Sequence, residues 1–138
     1  MPITVAITPG QQPEVTMLEP LLDGVSIAGK PGRPRKRFAT VAGDKGYDSD
    51  AARQAIAARG STPLIPHRKL RDGSYPERAA DFDKEQYKRR NVVERVIGKL
   101  KEYRHLATRY DKLAESFRAF VLLGFIRIWL KDLLSYTA

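Results

Sequence analysis

Residues 38–65 read FATVAGDKGYDSDAARQAIAARGSTPLI, and their pattern decides the fold. Three elements are predicted within this stretch: a buried strand, a helix and a very short strand, at residues 38–42, 49–59 and 62–65. Ser49 or Asp50 can cap the helix at its amino end, and Gly60 can close it. The order strand, helix, strand is typical of an α/β fold.

Weaker patterns on both sides continue the α/β order. The further predicted elements are a strand at residues 3–8, a helix at 13–22 ended by Gly24, a polar connection at 66–81, a long helix at 84–103 capped by Asp83, and an apolar helix at 112–134. Charged side chains interrupt the apolar helix at Arg127, Lys131 and Asp132. A buried or partner-bound helix is therefore favoured over a membrane span, which needs about 20 apolar residues.

Composition narrows the class of protein. The chain has 138 residues, with 25 Lys and Arg, 16 Asp and Glu, two His and no Cys. This length fits a single domain. The absence of cysteine excludes a disulfide framework, a thiolate zinc site and a cysteine nucleophile, and it fits a reducing cytoplasm. The first residues, MPITVAITPGQQ, lack a basic segment followed by an apolar one, so export is not expected.

The net charge of +9 is unevenly placed. Residues 1–29 hold three acidic side chains and no Lys or Arg, so the remainder carries 25 basic and 13 acidic groups. A field of this sign attracts a polyanion, nucleic acid first and an anionic membrane surface second. The alternative is a basic surface that serves only solubility.

The predicted long helix carries a polar stripe. At 100° per residue, Tyr87, Arg90, Glu94 and Lys101 fall within about 60° of one another, along about 20 Å of helix. The apolar side chains lie on the opposite face, namely Val92, Val93, Val96, Leu100 and Tyr103. Such a stripe is either a solvated face, with an Arg90–Glu94 ion pair one turn apart, or a set of functional groups.

The types and spacings of these four residues match a known pattern. Tyr87, Arg90, Glu94 and Lys101 reproduce the Y-R-E-K signature of bacterial insertion-sequence transposases of the DDE type. The stretches VAGDKGYDSDAARQAIAARGSTPLIPHRK and YKRRNVVERVIGKLKEYRHLATRYDKLAESFRAFVLLGFI resemble the second-Asp region and the final catalytic-helix region of that family. The resemblance is strongest over residues 41–134, and ITVAITPGQQPE resembles the segment just upstream. The combination of motifs is specific, whereas GDKGY alone is not.

The resemblance implies an RNase H-like domain in which three carboxylates gather two divalent ions. Asp44 matches the second catalytic Asp, and Glu94 matches the catalytic Glu; both would be metal ligands. Carboxylate oxygens suit Mg²⁺ or Mn²⁺. Two such ions, about 4 Å apart, can activate a water or a 3′-hydroxyl and stabilise the leaving oxygen. The family chemistry is thus phosphodiester hydrolysis and strand transfer during DNA transposition.

The resemblance also implies DNA-binding residues near the metal ligands. Tyr87, Arg90 and Lys101 match positions that hold DNA near the scissile phosphate. Lys45 and Tyr47 are candidates for orienting the same strand, or for a structural role beside Asp44. The further basic residues expected to contact phosphates are Arg89, Arg95, Lys99 and Arg104. His67 and His105 belong to no visible constellation and are expected at the surface or in loops.

The sequence departs from the family pattern before Asp44. A complete enzyme needs a first Asp on an earlier strand, and the only acidic residues upstream are Glu14, Glu19 and Asp23, none on a predicted strand. We therefore expect a single partial, amino-terminally truncated catalytic domain over residues 1–138, which is inactive alone. Its expected partners are DNA and either an amino-terminal transposase half from another reading frame or a second copy. The expected location is the cytoplasm, in association with the nucleoid.

The competing hypothesis is a non-catalytic DNA-binding protein. Residues 29–37 form a basic Pro/Gly stretch, predicted to be an exposed loop. Within it, KPGRPRKR resembles an AT-hook core, in which Arg33, Arg35 and Arg37 would enter the narrow minor groove of A·T-rich DNA. A solvated linker is the alternative for this loop.

Overall fold

The computed structural model of the chain describes residues 2–28, 32, 34–108 and 111–135. In chain order the elements are α1 (Leu18–Asp23), β1 (Thr40–Ala42), α2 (Asp50–Ala58), β2 (Thr62–Leu64), α3 (Lys84–Lys88), α4 (Asn91–Lys101), α5 (Arg104–Thr108) and α6 (Ala114–Ser135). The chain divides into two compact units. We call Gln11–Arg90 the βαβ unit, and Met1–Gly10 with Asn91–Ala138 the helical unit.

The βαβ unit is built on two parallel strands. β1 pairs with β2 in the register Thr40 to Thr62, Val41 to Pro63 and Ala42 to Leu64. Parallel strands need a crossover, and α2 supplies it. The predicted order strand, helix, strand is confirmed. The first strand is shorter than predicted and only partly buried, because a sheet of two strands leaves much of each strand uncovered.

Local sequence sets both ends of α2. The Ser49 hydroxyl accepts a hydrogen bond from the Ala52 N–H at 3.2 Å, which satisfies one of the unpaired donors of the first turn. At the other end Gly60 takes a positive φ of 72°. The Gly60 N–H donates to the Ala57 carbonyl, and the Ser61 N–H donates to the Ile56 carbonyl, as in a Schellman motif. Both predicted helix boundaries are confirmed.

Apolar side chains from α2 and β2 form the core of the βαβ unit. Ala52 and Ile56 project from α2, while Leu64 and Ile65 come from the second strand and its end. Among the described residues, Ile56 and Ile65 are the largest side chains with almost no exposed surface. α1 packs on α2. A 3-10 turn at Glu14–Met17 precedes α1, which ends at Gly24 as predicted.

The helical unit packs α6 against α4 and α5. The buried positions of α6 are Val121, Gly124 and Ile128. A Cβ at Gly124 would lie 2.8 Å from a methyl carbon of Leu100, so a side chain there would require Leu100 to shift. The described helices include none with the apolar length that crossing a lipid bilayer requires.

Residues 3–8 were predicted to form a strand, and the structure shows none there. The β-branched residues of ITVAIT favour extended backbone, but a strand also needs a neighbour to accept and donate its hydrogen bonds. Within the described ranges, no segment pairs with these residues. The prediction of a strand at 3–8 is therefore wrong for this structure.

The predicted helix over residues 84–103 is divided in two. α3 ends at Lys88 and α4 begins at Asn91, with a turn at residues 89–90. The N–H groups of Arg89 and Arg90 donate to carbonyls three residues back, the tight pattern of a helix end. The break precedes Asn91, and asparagine has low helix propensity because its side chain competes for backbone hydrogen bonds.

Candidate functional site

Asp44 lies just past the end of β1, as predicted. It caps a 3-10 turn at Lys45–Tyr47, and its Oδ1 accepts the Gly46 N–H at 2.7 Å. A side chain at Gly46 would put its Cβ 2.8 Å from that same oxygen, so glycine permits the close approach. The Asp44 side chain remains 45% exposed. The carboxylate is thus held by the turn but open to a ligand.

One predicted DNA-binding residue, Arg90, lies beside Asp44, and a second, Tyr87, lies beside Arg90. A terminal nitrogen of the Arg90 guanidinium is 3.9 Å from Asp44 Oδ2. The same guanidinium lies 6.0 Å from the centre of the Tyr87 ring, which in turn packs against Phe82 at 5.2 Å between centroids. An ion pair at the surface contributes little to stability. Its position matters more, because it places a guanidinium, a group suited to phosphate, next to a carboxylate.

Lys45 and Tyr47 occupy the turn that Asp44 caps. Lys45 is exposed, while Tyr47 is half-buried. Burial raises the pKa of the Tyr47 hydroxyl, and the charges of Glu14 and Asp44 raise it further. The hydroxyl therefore remains a proton donor at neutral pH.

A cleft of about 540 Å³ opens beside Lys45. The polar and aromatic side chains that line it are Lys45, His67, Tyr75, Glu77, Phe82 and Lys84. Sequence reasoning did not identify this cleft, because residues 66–81 were predicted only as a polar connection. The lining thus combines the amines of Lys45 and Lys84 with the Glu77 carboxylate and aromatic rings.

Sequence reasoning also missed a buried polar network behind the turn. His67 lies in the loop after β2, one of the two expected locations, but its side chain is buried next to Asp48 and Arg53. Burial would raise the pKa of Asp48, but hydrogen bonds from Arg68 and Arg53, together with nearby positive charge, outweigh it and lower that pKa. Burial and the charge of Arg53 lower the pKa of His67, despite the opposing charge of Asp48. His67 is thus neutral at neutral pH.

α4 carries the second predicted metal ligand. Glu94 lies in the first turn of this helix and is exposed, and Lys101 lies two turns further on the same face. Val96 and Leu100 are half-buried on the opposite face. The other basic residues predicted to contact phosphates, Arg89, Arg95, Lys99 and Arg104, are also exposed, and the Lys99 amine lies 3.7 Å from Asp132.

The break before α4 corrects the predicted stripe. Tyr87 lies in α3 and Arg90 in the turn, so the four residues of the predicted stripe do not share one continuous helix. They belong to the βαβ unit, whereas Glu94 and Lys101 belong to the helical unit.

The basic loop is exposed where the structure describes it. Pro34, Arg35, Lys36 and Arg37 are exposed, and Ile27 and Arg35 exchange backbone hydrogen bonds of 3.0 and 2.9 Å. Arg33, the first arginine of the AT-hook-like core, lies outside the described residues, as do residues 29–31.

The donor set near Asp44 fits part of a magnesium or manganese site. Asp44 offers a hard oxygen, Oδ2, at an accessible position. Across residues 2–28, 32, 34–108 and 111–135, however, no group of three or more His, Asp or Glu side chains gathers closely enough to hold a metal ion. Asp44 alone would bind such an ion weakly.

His105 is exposed, as expected from the sequence. Its ring stacks on Phe120 at 4.7 Å between centroids, and its Nδ1 lies 3.7 Å from Asp111 Oδ2.

Comparisons with known proteins agree on one family. The chain matches the family described as the transposase DDE domain over residues 1–129. It is 35% identical over 124 residues to a protein of Burkholderia cepacia described as a transposase for insertion sequence element IS402, which covers 89% of this chain and 54% of that protein. It is 28% identical over 131 residues to one of Brucella ovis described as a transposase for element IS6501, which covers 95% of this chain and 90% of that protein. The chain therefore spans about half the length of the first relative and nine tenths of the second. No solved structure gives a significant match.

Proposed function

The chain belongs to the DDE-type insertion-sequence transposases, and we propose that Asp44 and Glu94 are two of the carboxylates that hold its divalent ions. The observation that carries this proposal is the position of Asp44, directly after β1, capping a turn and facing Arg90. Glu94 supports it as an exposed carboxylate on α4 at the spacing of the family signature. The domain would be RNase H-like, with α4 as its catalytic helix.

Each proposed residue has a distinct task in DNA transposition. Mg²⁺ or Mn²⁺, when bound, would supply the charge that activates the attacking oxygen and stabilises the leaving one. Arg90 and Lys101 would hold phosphate oxygens. Arg90 would donate bidentate hydrogen bonds from its guanidinium, and Lys101 would supply the compact charge of its ammonium group. Tyr87 would add a ring face and a hydroxyl donor. Lys45, Tyr47, Arg95 and Lys99 would extend the phosphate-binding surface.

The upstream acidic residues do not offer a third metal ligand. Glu14 lies in a 3-10 turn, and Glu19 and Asp23 lie on α1. Arg59 binds both acidic groups of α1, at 3.1 Å from Glu19 and 2.7 Å from Asp23. Its hydrogen bond, with its charge, lowers the pKa of Asp23. We therefore propose that the third carboxylate comes from an amino-terminal transposase segment outside these 138 residues.

The first test is strand transfer by the 138-residue chain. Incubated with Mn²⁺ and DNA that carries the transposon ends, this chain is expected to yield no strand-transfer product, because two carboxylates leave the metal site incomplete. Electrophoresis of end-labelled DNA measures the product. A product that Glu94→Gln abolishes would show that the chain is active alone and would overturn the proposed need for a third carboxylate.

A second candidate function rests on the exposed loop at residues 34–37. Arg35, Lys36 and Arg37 form a continuous basic surface next to the bridge with Ile27. An AT-hook-like protein would bind DNA through this loop without any metal.

Two variants that each remove three cations distinguish the surfaces. Each phosphate contact contributes about −0.9 to the slope of log K against log salt. Replacing Arg95, Lys99 and Lys101 by Ala is expected to reduce that slope by about 2 to 3, because α4 belongs to the proposed DNA surface. The matched change of Arg35, Lys36 and Arg37 to Ala should reduce it by less than 1. Fluorescence anisotropy over a salt series provides the measurement, and the reverse ranking would favour the AT-hook-like function.

A further inference from the structure

Asp48 is a buried carboxylate that the proposed chemistry does not use. Its side chain is only 7% exposed. Oδ1 accepts hydrogen bonds from the Arg53 side chain at 2.7 and 3.2 Å, and Oδ2 accepts the backbone N–H of Arg68 at 2.6 Å. Arg53 also donates to the Ile65 carbonyl at 2.8 Å. Asp48 therefore joins the segment after β1 to the segment after β2.

The same network reaches the turn that carries Asp44. The Arg68 side chain donates from Nε to the Lys45 carbonyl at 2.8 Å. That carbonyl also accepts the Asp48 N–H at 3.2 Å. Asp48 fixes the backbone of Arg68, and the side chain of Arg68 fixes the first residue of the turn. The Asp44 carboxylate is held within that turn by Gly46.

We propose that Asp48, Arg53 and Arg68 are positioning residues that hold the Asp44 turn in the geometry for divalent metal binding. This inference rests on the proposed role of Asp44 as a metal ligand. None of the three touches the Asp44 carboxylate in the contacts described above, so their effect passes through the backbone of residues 45–48. Groups that orient a metal ligand typically change metal affinity by 10- to 100-fold when they are removed.

Arg68→Met gives the sharpest test. Arg68 is exposed, so this change removes the bond to the Lys45 carbonyl while the backbone N–H to Asp48 remains. Asp48→Asn is the stronger variant, but it leaves Arg53 buried without its charge partner and can prevent folding. Exposed Arg71 provides the matched control, because Arg71→Met removes the same charge from the same segment.

Two measurements on the 138-residue chain follow from this design. The first is Mn²⁺ affinity, from the electron paramagnetic resonance signal of the unbound ion. Arg68→Met is expected to weaken it about tenfold. Loss of a nearby cation should by itself strengthen binding of a divalent cation, so Arg71→Met should leave the affinity equal or slightly higher. The second measurement is amide hydrogen exchange, which should become faster at residues 45–48 in Arg68→Met and stay unchanged in α2.

The outcomes separate this inference from the proposed function. If Asp44→Asn binds Mn²⁺ as the unmodified chain does, the proposed metal ligand is wrong. If Asp44→Asn loses Mn²⁺ but Arg68→Met behaves like Arg71→Met, only the positioning role is wrong. Unchanged exchange at residues 45–48 in Arg68→Met would also overturn the positioning role, whatever the metal affinity.

Discussion

Asp44→Asn and Glu94→Gln are each expected to weaken Mn²⁺ binding by about a hundredfold or more. Each change removes a charged oxygen that we propose as a metal ligand, and even groups that only support a ligand are worth 10- to 100-fold in metal affinity. Neither change alters the volume of the side chain much, so the fold should persist. Isothermal titration with Mn²⁺, together with circular dichroism, measures both properties.

Matched controls exist on the same two segments. Asp50 is an exposed carboxylate at the start of α2 that pairs with Arg78 at the surface, and Glu102 is exposed just after α4. Asp50→Asn and Glu102→Gln remove the same charge, and we expect changes in Mn²⁺ affinity of less than about twofold, because screened surface charges interact weakly. Equal losses of Mn²⁺ affinity in all four variants would mean that net charge, and not ligation, controls Mn²⁺ binding.

Ile56→Ala is expected to destabilise the βαβ unit by about 2 to 5 kcal/mol. Ile56 is 1% exposed and projects from α2 into the core formed with β2. Its truncation loses the transfer free energy of the removed carbons and leaves a cavity that the short sheet cannot fill. The free energy of unfolding, from a urea titration followed by circular dichroism, gives the measurement.

Leu70→Ala serves as its control. Leu70 is 52% exposed in the same unit, so its truncation should cost less than about 0.5 kcal/mol. If Ile56→Ala and Leu70→Ala lowered the free energy of unfolding by similar amounts, the position of the core would be contradicted.

The parts of the fold that depend on local sequence could be predicted. Ser49 and Gly60 mark the ends of α2 because a hydroxyl cap and a positive φ act within a few residues. The position of Asp44 could also be predicted, because the local sequence marks the end of β1 just before it. These features need no distant partner.

The predictions that were wrong concern structure that depends on distant partners or on a balance of small free-energy differences. A strand at residues 3–8 needs a neighbouring strand that sequence alone does not guarantee. The division between α3 and α4 falls just before Asn91, whose low helix propensity is worth only tenths of a kcal/mol against a continuous apolar period. The predicted polar stripe over residues 87–101 assumed one continuous helix. Its residues are therefore divided among α3, the turn and α4.

The buried network around Asp48 could not be predicted from spacing. Asp48, Arg53 and His67 are residue types that usually lie at the surface. Here the side chains of Asp48 and His67 are buried and that of Arg53 is mostly covered, because each finds a partner in the other segment. The one sequence signal was an acidic residue five positions before an arginine, across the Ser49 cap, which by itself is common.

We propose that Asp44 and Glu94 ligate the same metal site. Iron-directed cleavage tests it most directly: Fe²⁺ with ascorbate and peroxide generates hydroxyl radicals at the bound ion, and these cut nearby backbone. We expect cuts in two segments of the 138-residue chain, around residue 44 and around residue 94, and we expect Asp44→Asn to abolish both. Cuts around only one of the two residues, or cuts around residue 94 that survive Asp44→Asn, would contradict a shared site.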